Sequence, residues 1–77
     1  MKSLKININS INKVKTFVNI INTFDGNFDL VSDRYIVDAK SIMGIFSLDL
    51  SKNIDLNIHG EGDKLDEVLE ILKVYEV

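Results

Sequence analysis

The stretch from Leu4 to Gly26, LKININSINKVKTFVNIINTFDG, contains two hydrophobic periods, one directly after the other. Over residues 4–8 apolar and polar residues alternate, which is typical of a strand with one buried face. After Ser10, a good helix N-cap, apolar residues recur at three- and four-residue spacing, which predicts an amphipathic helix over 11–24. Its apolar stripe contains Ile11, Val14, Phe17, Val18, Ile21 and Phe24. Gly26 is expected to end this helix in a left-handed conformation.

Two shorter elements are predicted next along the chain. Residues 27–39 alternate in hydrophobicity on both sides of a polar Asp33-Arg34 pair, which predicts a β-hairpin. This turn contains no glycine, so the pattern does not define its type. Ser41 is expected to cap a short apolar helical segment, Ile42–Leu48.

A fourth strand and a last helix complete the pattern. The strand is indicated by apolar residues that alternate with polar ones, Ile54, Leu56 and Ile58. Asp63 is expected to cap a helix over about 64–74, whose apolar face contains Leu65, Val68, Leu69 and Leu72. The order β-α-β-β-α-β-α, with one apolar face per strand, predicts an α+β fold. We expect a four-stranded antiparallel sheet with helices on one face and water on the other.

Length and composition exclude several classes of function. With 77 residues, the chain 1–77 is expected to be a single domain without room for an elaborate enzyme pocket. It has no Cys and one His, so thiolate sites and multi-histidine metal sites are excluded, and no cofactor is expected. A net charge of -3 argues against direct binding of nucleic acid. The sequence shows no signal peptide and no apolar run long enough for a membrane span, so we expect a cytoplasmic protein.

The element order and the segment Lys40–Leu48, KSIMGIFSL, resemble the histidine-containing phosphocarrier family of the bacterial sugar phosphotransferase system, HPr. This resemblance implies an HPr-like open-faced β-sandwich over nearly the whole chain. In the family, this segment carries a regulatory serine followed by a short helix with an exposed hydrophobic patch. Ser41 falls on that serine and is the expected site of regulatory phosphorylation. The expected partner-binding residues are Ile42, Met43, Phe46 and Lys40, and the Lys40 ammonium is expected to pair with the phosphate on Ser41.

The chain departs from the family at the phosphocarrier motif, Gly-x-His-Ala-Arg-Pro. Counting back from Ser41 without gaps places Ser10 at the carrier histidine, Asn12 at the arginine and Lys13 at the proline. The interpretation that we favour for Ser10 is a simple helix N-cap, because Ser is a preferred residue at that position. The one histidine, His59, belongs to the fourth predicted strand, where alternation with Ile58 directs it to the solvent face. We expect it to be solvated and without a chemical role.

The resemblance and the departure together predict a regulatory or protein-binding member of the family that is not an enzyme. Its expected partners are other proteins: a serine kinase, a transcriptional regulator of carbon catabolite control, or phosphotransferase-system components. One alternative is an active phosphocarrier that uses a non-standard acceptor. Another is a ferredoxin-like module for a small ligand, which an open single-layer sheet disfavours because it leaves little room for a deep pocket.

Overall fold

The computed structural model describes residues 2–59 and 63–77, with the side chains of the last helix described from Leu65 onward. The strands are β1 (Lys2–Ile6), β2 (Asn27–Ser32), β3 (Tyr35–Asp38) and β4 (Ile54–His59). The helices are α1 (Ile11–Asn22), α2 (Ile42–Phe46) and α3 (Asp63–Leu72), and a 3₁₀ turn, Lys73–Tyr75, follows α3.

The four strands form one sheet in the order β1-β4-β2-β3, and each neighbouring pair is antiparallel. Leu56 of the central strand β4 lies opposite Leu4 on one side and Leu30 on the other, and Leu30 in turn lies opposite Val37. Because strand side chains alternate between faces, this register directs one apolar row across the whole sheet to the same side. The predicted antiparallel α+β sandwich is confirmed.

The helices cover the apolar side of the sheet and enclose the core. The ring of Phe17 meets the ring of Tyr75 edge to face, with centroids 5.7 Å apart and planes at 86°. The buried hydrophobic residues are Ile6, Ile8, Val14, Phe17, Val18, Ile21, Phe28, Leu30, Ala39, Ile45, Leu48, Ile54, Leu56, Ile58, Val68, Leu72 and Tyr75. Asp55, Asn57 and His59 alternate with buried residues of β4 and therefore lie on the open face.

Helix α1 differs from its prediction at both ends. Ile11, the first helical residue, was expected in the apolar stripe but is exposed, and the buried residues of the helix begin one turn later at Val14. The helix ends at Asn22 rather than at residue 24, since the Thr23 hydroxyl donates to the Ile20 carbonyl at 2.6 Å and competes with helical bonding. Gly26 does have a positive φ, +111°, but it belongs to the link into β2 and does not cap the helix.

The remaining boundaries agree with the sequence pattern more closely. The hairpin turn without glycine is explained by Asp33, whose φ of +53° lies in the left-handed region that Asp tolerates better than most residues. Helix α3 ends at Leu72 instead of continuing to residue 74, and the chain tightens into the 3₁₀ turn. Asp63 is the first helical residue rather than the predicted cap, and its side chain lies outside the described part.

Candidate functional site

Ser41 begins helix α2 as its N-cap. Its backbone is extended, with φ -98° and ψ 105°, and its Oγ accepts a hydrogen bond from the Gly44 N–H at 3.2 Å. Its carbonyl accepts from the Ile45 N–H at 3.0 Å, which closes the first helical turn. The residue is exposed, so its hydroxyl faces solvent at the start of the helix. This is the place and the accessibility that the sequence predicted for Ser41.

Close packing attaches α2 to the body of the domain. Ile45 is fully buried and Leu48 is buried, as the sequence predicted for both. A Cβ added at Gly44 would lie 3.4 Å from the Cβ of Val37 on β3 and 3.3 Å from the Oγ of Ser41. A side chain at this position would therefore touch the strand and press against the Ser41 hydroxyl, which favours a glycine even though this residue weakens helices.

The outward side of α2 carries an apolar surface, which we call the α2 patch: Met43, Phe46 and the adjoining Ile42. Met43 is 78% exposed and Phe46 is 41% exposed. They are separated by three residues and therefore share one side of the helix. Ile42 is only half-buried and packs against the core. The predicted three-residue surface is thus dominated by Met43, while Ile42 contributes mainly to packing.

The structure places the Lys40 side chain away from the position expected for it beside Ser41. Its Nζ donates to the Phe24 carbonyl at 2.9 Å and lies 5.7 Å from the centroid of the Phe28 ring. Its backbone N–H donates to the Asp38 Oδ1 at 2.9 Å. This half-buried ammonium links the segment after α1 to β2. The prediction that Lys40 pairs with a phosphate on Ser41 therefore does not match the contacts of its side chain.

Ser10 caps α1 in the same manner as Ser41 caps α2. Its backbone is extended, and its Oγ accepts from the Lys13 N–H at 3.2 Å. The Lys13 ammonium donates to the Asn9 Oδ1 at 3.3 Å, and Asn12 is exposed. The start of α1 therefore contains a capped helix end, one lysine and two asparagine side chains.

His59 lies on the open face, as its alternation predicted, but it has a partner that the sequence did not indicate. Its Nε2 is 2.8 Å from the Oδ2 of Asp29 on the neighbouring strand β2, and both side chains are partly exposed. A shallow depression around this pair is lined by Asn27, Phe28, Asp29, Asp38 and His59. Alternation alone assigns His59 and Asp29 to the same face, but only the strand order and register bring them together.

Neither a metal cluster nor a membrane-spanning helix is found in the part of the chain that the structure describes. Among the described side chains, those of residues 2–59 and 65–77, no three His, Asp or Glu residues form a group that could hold a metal ion. In the same described ranges, no helix has both the length and the apolar character needed to cross a membrane.

Comparison with known proteins identifies the family. A family model described as "PTS HPr component phosphorylation site" matches residues 5–75, nearly the full length of the chain. The chain belongs to the HPr family. Within it, this HPr-family chain is 37% identical over 59 residues to the HPr-like protein Crh of Bacillus subtilis strain 168. The matched part covers 77% of this chain and 69% of Crh.

Solved structures of the family have the same architecture. HPr-C-His from Thermoanaerobacter tengcongensis superposes with a TM-score of 0.75 at 29% identity, covering 94% of this chain and 90% of that one. The phosphocarrier protein HPr from Bacillus anthracis str. Ames gives a TM-score of 0.71 at 29% identity, covering 99% of this chain and 94% of that one. The fold is therefore that of the HPr phosphocarrier family of the phosphotransferase system.

Proposed function

We propose that this HPr-family protein is a cytoplasmic regulatory module that binds other proteins and does not relay phosphoryl groups through a histidine. The observation that carries the proposal is the start of α1, where Ser10 acts as the N-cap at the position that ungapped counting assigns to the carrier histidine. The one histidine of the chain, His59, lies on β4 and points to the face of the sheet that the helices leave open.

The chemistry of the two side chains explains why this difference matters. A phosphoimidazole transfers its phosphoryl group readily because the ring nitrogen is a good leaving group. A serine phosphoester is far more inert, so a phosphorylated Ser10 would not pass its group on. The helix N-terminus would attract an anion, but Asn12 supplies no positive charge and no bidentate guanidinium. The Lys13 ammonium is already bonded to the Asn9 side chain.

We assign the regulatory role to Ser41 and the α2 patch. A phosphate on Ser41 would add oxygen acceptors next to the Gly44 N–H, at the positive end of α2, so the helix need not unfold. It would place negative charge beside Met43, which is the most exposed apolar residue of the patch. Such a change alters the choice of partner more than the stability of the fold. The partners we expect are a serine kinase and a transcriptional regulator of carbon catabolite control.

The proposal is tested by phosphorylation of the protein with ATP and an extract of its host. We expect an acid-stable phosphate on Ser41, which peptide mass spectrometry will locate. The matched control is Ser10→Ala, because Ser10 is also an exposed N-cap serine, and this variant should be phosphorylated like the unmodified protein. Ser41→Ala should abolish the modification. Phosphate that accumulates on Ser10, or none on Ser41, contradicts the assignment.

One observation favours a rival function, a phosphocarrier that uses His59. The Asp29 carboxylate at 2.8 Å would orient the imidazole through Nε2 and leave Nδ1 free to accept a phosphoryl group. Against it, Asp38 lies directly opposite Asp29 on the next strand, so the acceptor would lie in a negative field that repels a phosphoryl dianion. Under this rival, His59→Gln would abolish acid-labile labelling. Under our proposal there is no such labelling to abolish.

A further inference from the structure

The two edges of the sheet differ in how their backbone groups are covered. At the end of β1, the segment after α3 forms an isolated antiparallel bridge in which Glu76 lies opposite Ile6: the Asn7 N–H donates to the Tyr75 carbonyl at 2.9 Å, and the Val77 N–H donates to the Lys5 carbonyl at 3.0 Å. Along β3, no residue of 2–59 or 63–77 forms a strand against the outer edge. An uncovered edge strand is a template for pairing with another chain.

The hairpin geometry determines which groups of β3 face outward. Ser32 and Tyr35 flank the two-residue turn and pair with each other. The backbone groups of Ser32 therefore point towards β3, and those of Tyr35 point towards β2. The pairing alternates along the ladder, which directs the N–H and C=O of Ile36 away from the sheet. The side chains of Tyr35 and Ile36 are 67% and 69% exposed. The outward edge is therefore both unpaired and apolar at its centre.

The sequence of this edge is complementary to itself. In an antiparallel pair centred on Ile36, Ile36 lies opposite Ile36 of the second copy, and Tyr35 lies opposite Val37. Arg34 of each copy then lies opposite Asp38 of the other, which gives two pairs of opposite charges, one at each end. A register shifted by one residue separates these charges and places Tyr35 opposite Asp38.

The surrounding charges favour the same arrangement. Asp29 and Asp38 lie directly opposite each other on β2 and β3, a like-charge juxtaposition that a neighbouring cation relieves. Within the described part of the chain Arg34 forms no ion pair, and it is exposed at the end of the turn. An arginine supplied by a second copy beside Asp38 would meet this need.

We propose that two copies of this chain associate through antiparallel pairing of their β3 strands, centred on Ile36, to form one continuous eight-stranded sheet. The strand has only four residues, so the contact is smaller than the roughly 1,200 Å² that stable complexes need, and the dimer is weak and transient. The inference is independent of the proposed role of Ser41, because the pairing uses neither Ser41 nor the α2 patch.

The test is a concentration series up to about 1 mM protein, followed by sedimentation equilibrium and by amide NMR shifts. We expect a monomer–dimer equilibrium, with concentration-dependent shifts centred on residues 34–38. Ile36→Pro removes the outward N–H but no hydrogen bond to β2, and it should weaken the dimer more than about tenfold. Arg34→Glu should weaken it about fivefold or more. Met43→Ala, an exposed apolar residue of the α2 patch outside β3, is the matched control and should have no effect on the dimer.

A mixture of two charge variants provides the most specific test of the proposed register. Arg34→Glu alone and Asp38→Lys alone each create two like-charge pairs in their own dimers. When the two variants are mixed, each end of the dimer again joins opposite charges, so association should recover to about the unmodified level. Thermal melts of each variant establish that it is folded. A protein that stays monomeric at about 1 mM, a dimer weakened by Met43→Ala instead, or a mixture without recovery overturns the proposal.

Discussion

A substitution in the α2 patch should weaken partner binding without destabilising the fold, and Met43 and the nearby Ile45 allow a test of this expectation. Met43 is 78% exposed, so about a fifth of its side chain is buried, and its contribution to folding is roughly 0.5 kcal/mol out of the 1.5–3 kcal/mol of full burial. Ile45, two residues later, is fully buried, and Ile45→Ala should cost about 2–5 kcal/mol. Phe46 is more than half buried, so Phe46→Ala affects both folding and binding and is the poorer probe.

Met43→Ala should therefore leave the free energy of unfolding within about 0.5 kcal/mol of the unmodified protein. Its binding to the regulator should fall by about 1–2 kcal/mol, which is roughly five- to thirtyfold in the dissociation constant. Urea unfolding followed by circular dichroism measures the first quantity, and titration calorimetry with the Ser41-phosphorylated protein measures the second. If Met43→Ala destabilises the fold as much as Ile45→Ala, or leaves binding unchanged, Met43 is not a docking residue.

Three further substitutions test other parts of the account. Ser10→Ala removes the N-cap bond of α1 and should lower stability by about 1 kcal/mol in urea unfolding, and an unchanged midpoint would contradict the capping role. Lys40→Met removes the hydrogen bond to the Phe24 carbonyl and should lower the free energy of unfolding by about 1 kcal/mol. The rate at which a kinase modifies Ser41 should not change, and a slower rate would show that Lys40 takes part in the Ser41 site. Burial raises the pKa of Tyr75 in the folded protein above its usual value of about 10, because the charged phenolate is disfavoured there. The contribution of the neutral phenol to the free energy of unfolding is complete below pH about 10 and is lost as pH rises through the folded pKa. Tyr75→Phe should therefore unfold less readily in an alkaline titration, and an identical alkaline transition would refute this.

The elements of the fold could be predicted from the sequence because their hydrophobic periods are regular. Leu56 and its neighbours in β4 alternate strictly, and Phe17 and Ile21 of α1 keep a helical spacing, so burial follows from position alone. Element ends were less predictable. At the end of α1 the side chains of Asn22 and Thr23 bond to the carbonyls of the last turn, and local polar bonds of this kind leave little trace in hydrophobicity.

The candidate site was predictable only in part, because some of its contacts join residues far apart in the sequence. The position of Ser41 follows from a local motif, and the structure places it at the start of α2 as expected. The direction of the Lys40 side chain depends on a carbonyl sixteen residues earlier, and the His59–Asp29 pair joins residues thirty positions apart. Such contacts depend on tertiary packing and register, which no local pattern encodes.

The central claim is that this HPr-family protein does not carry phosphoryl groups on histidine. The most direct measurement is incubation of the unmodified protein with enzyme I and phosphoenolpyruvate, with a histidine-containing HPr as the positive control and intact mass spectrometry before and after acid treatment. We predict that the control gains an acid-labile phosphoryl group and that this protein gains none. Rapid acid-labile labelling of this protein, followed by transfer to a sugar permease domain, would contradict the claim.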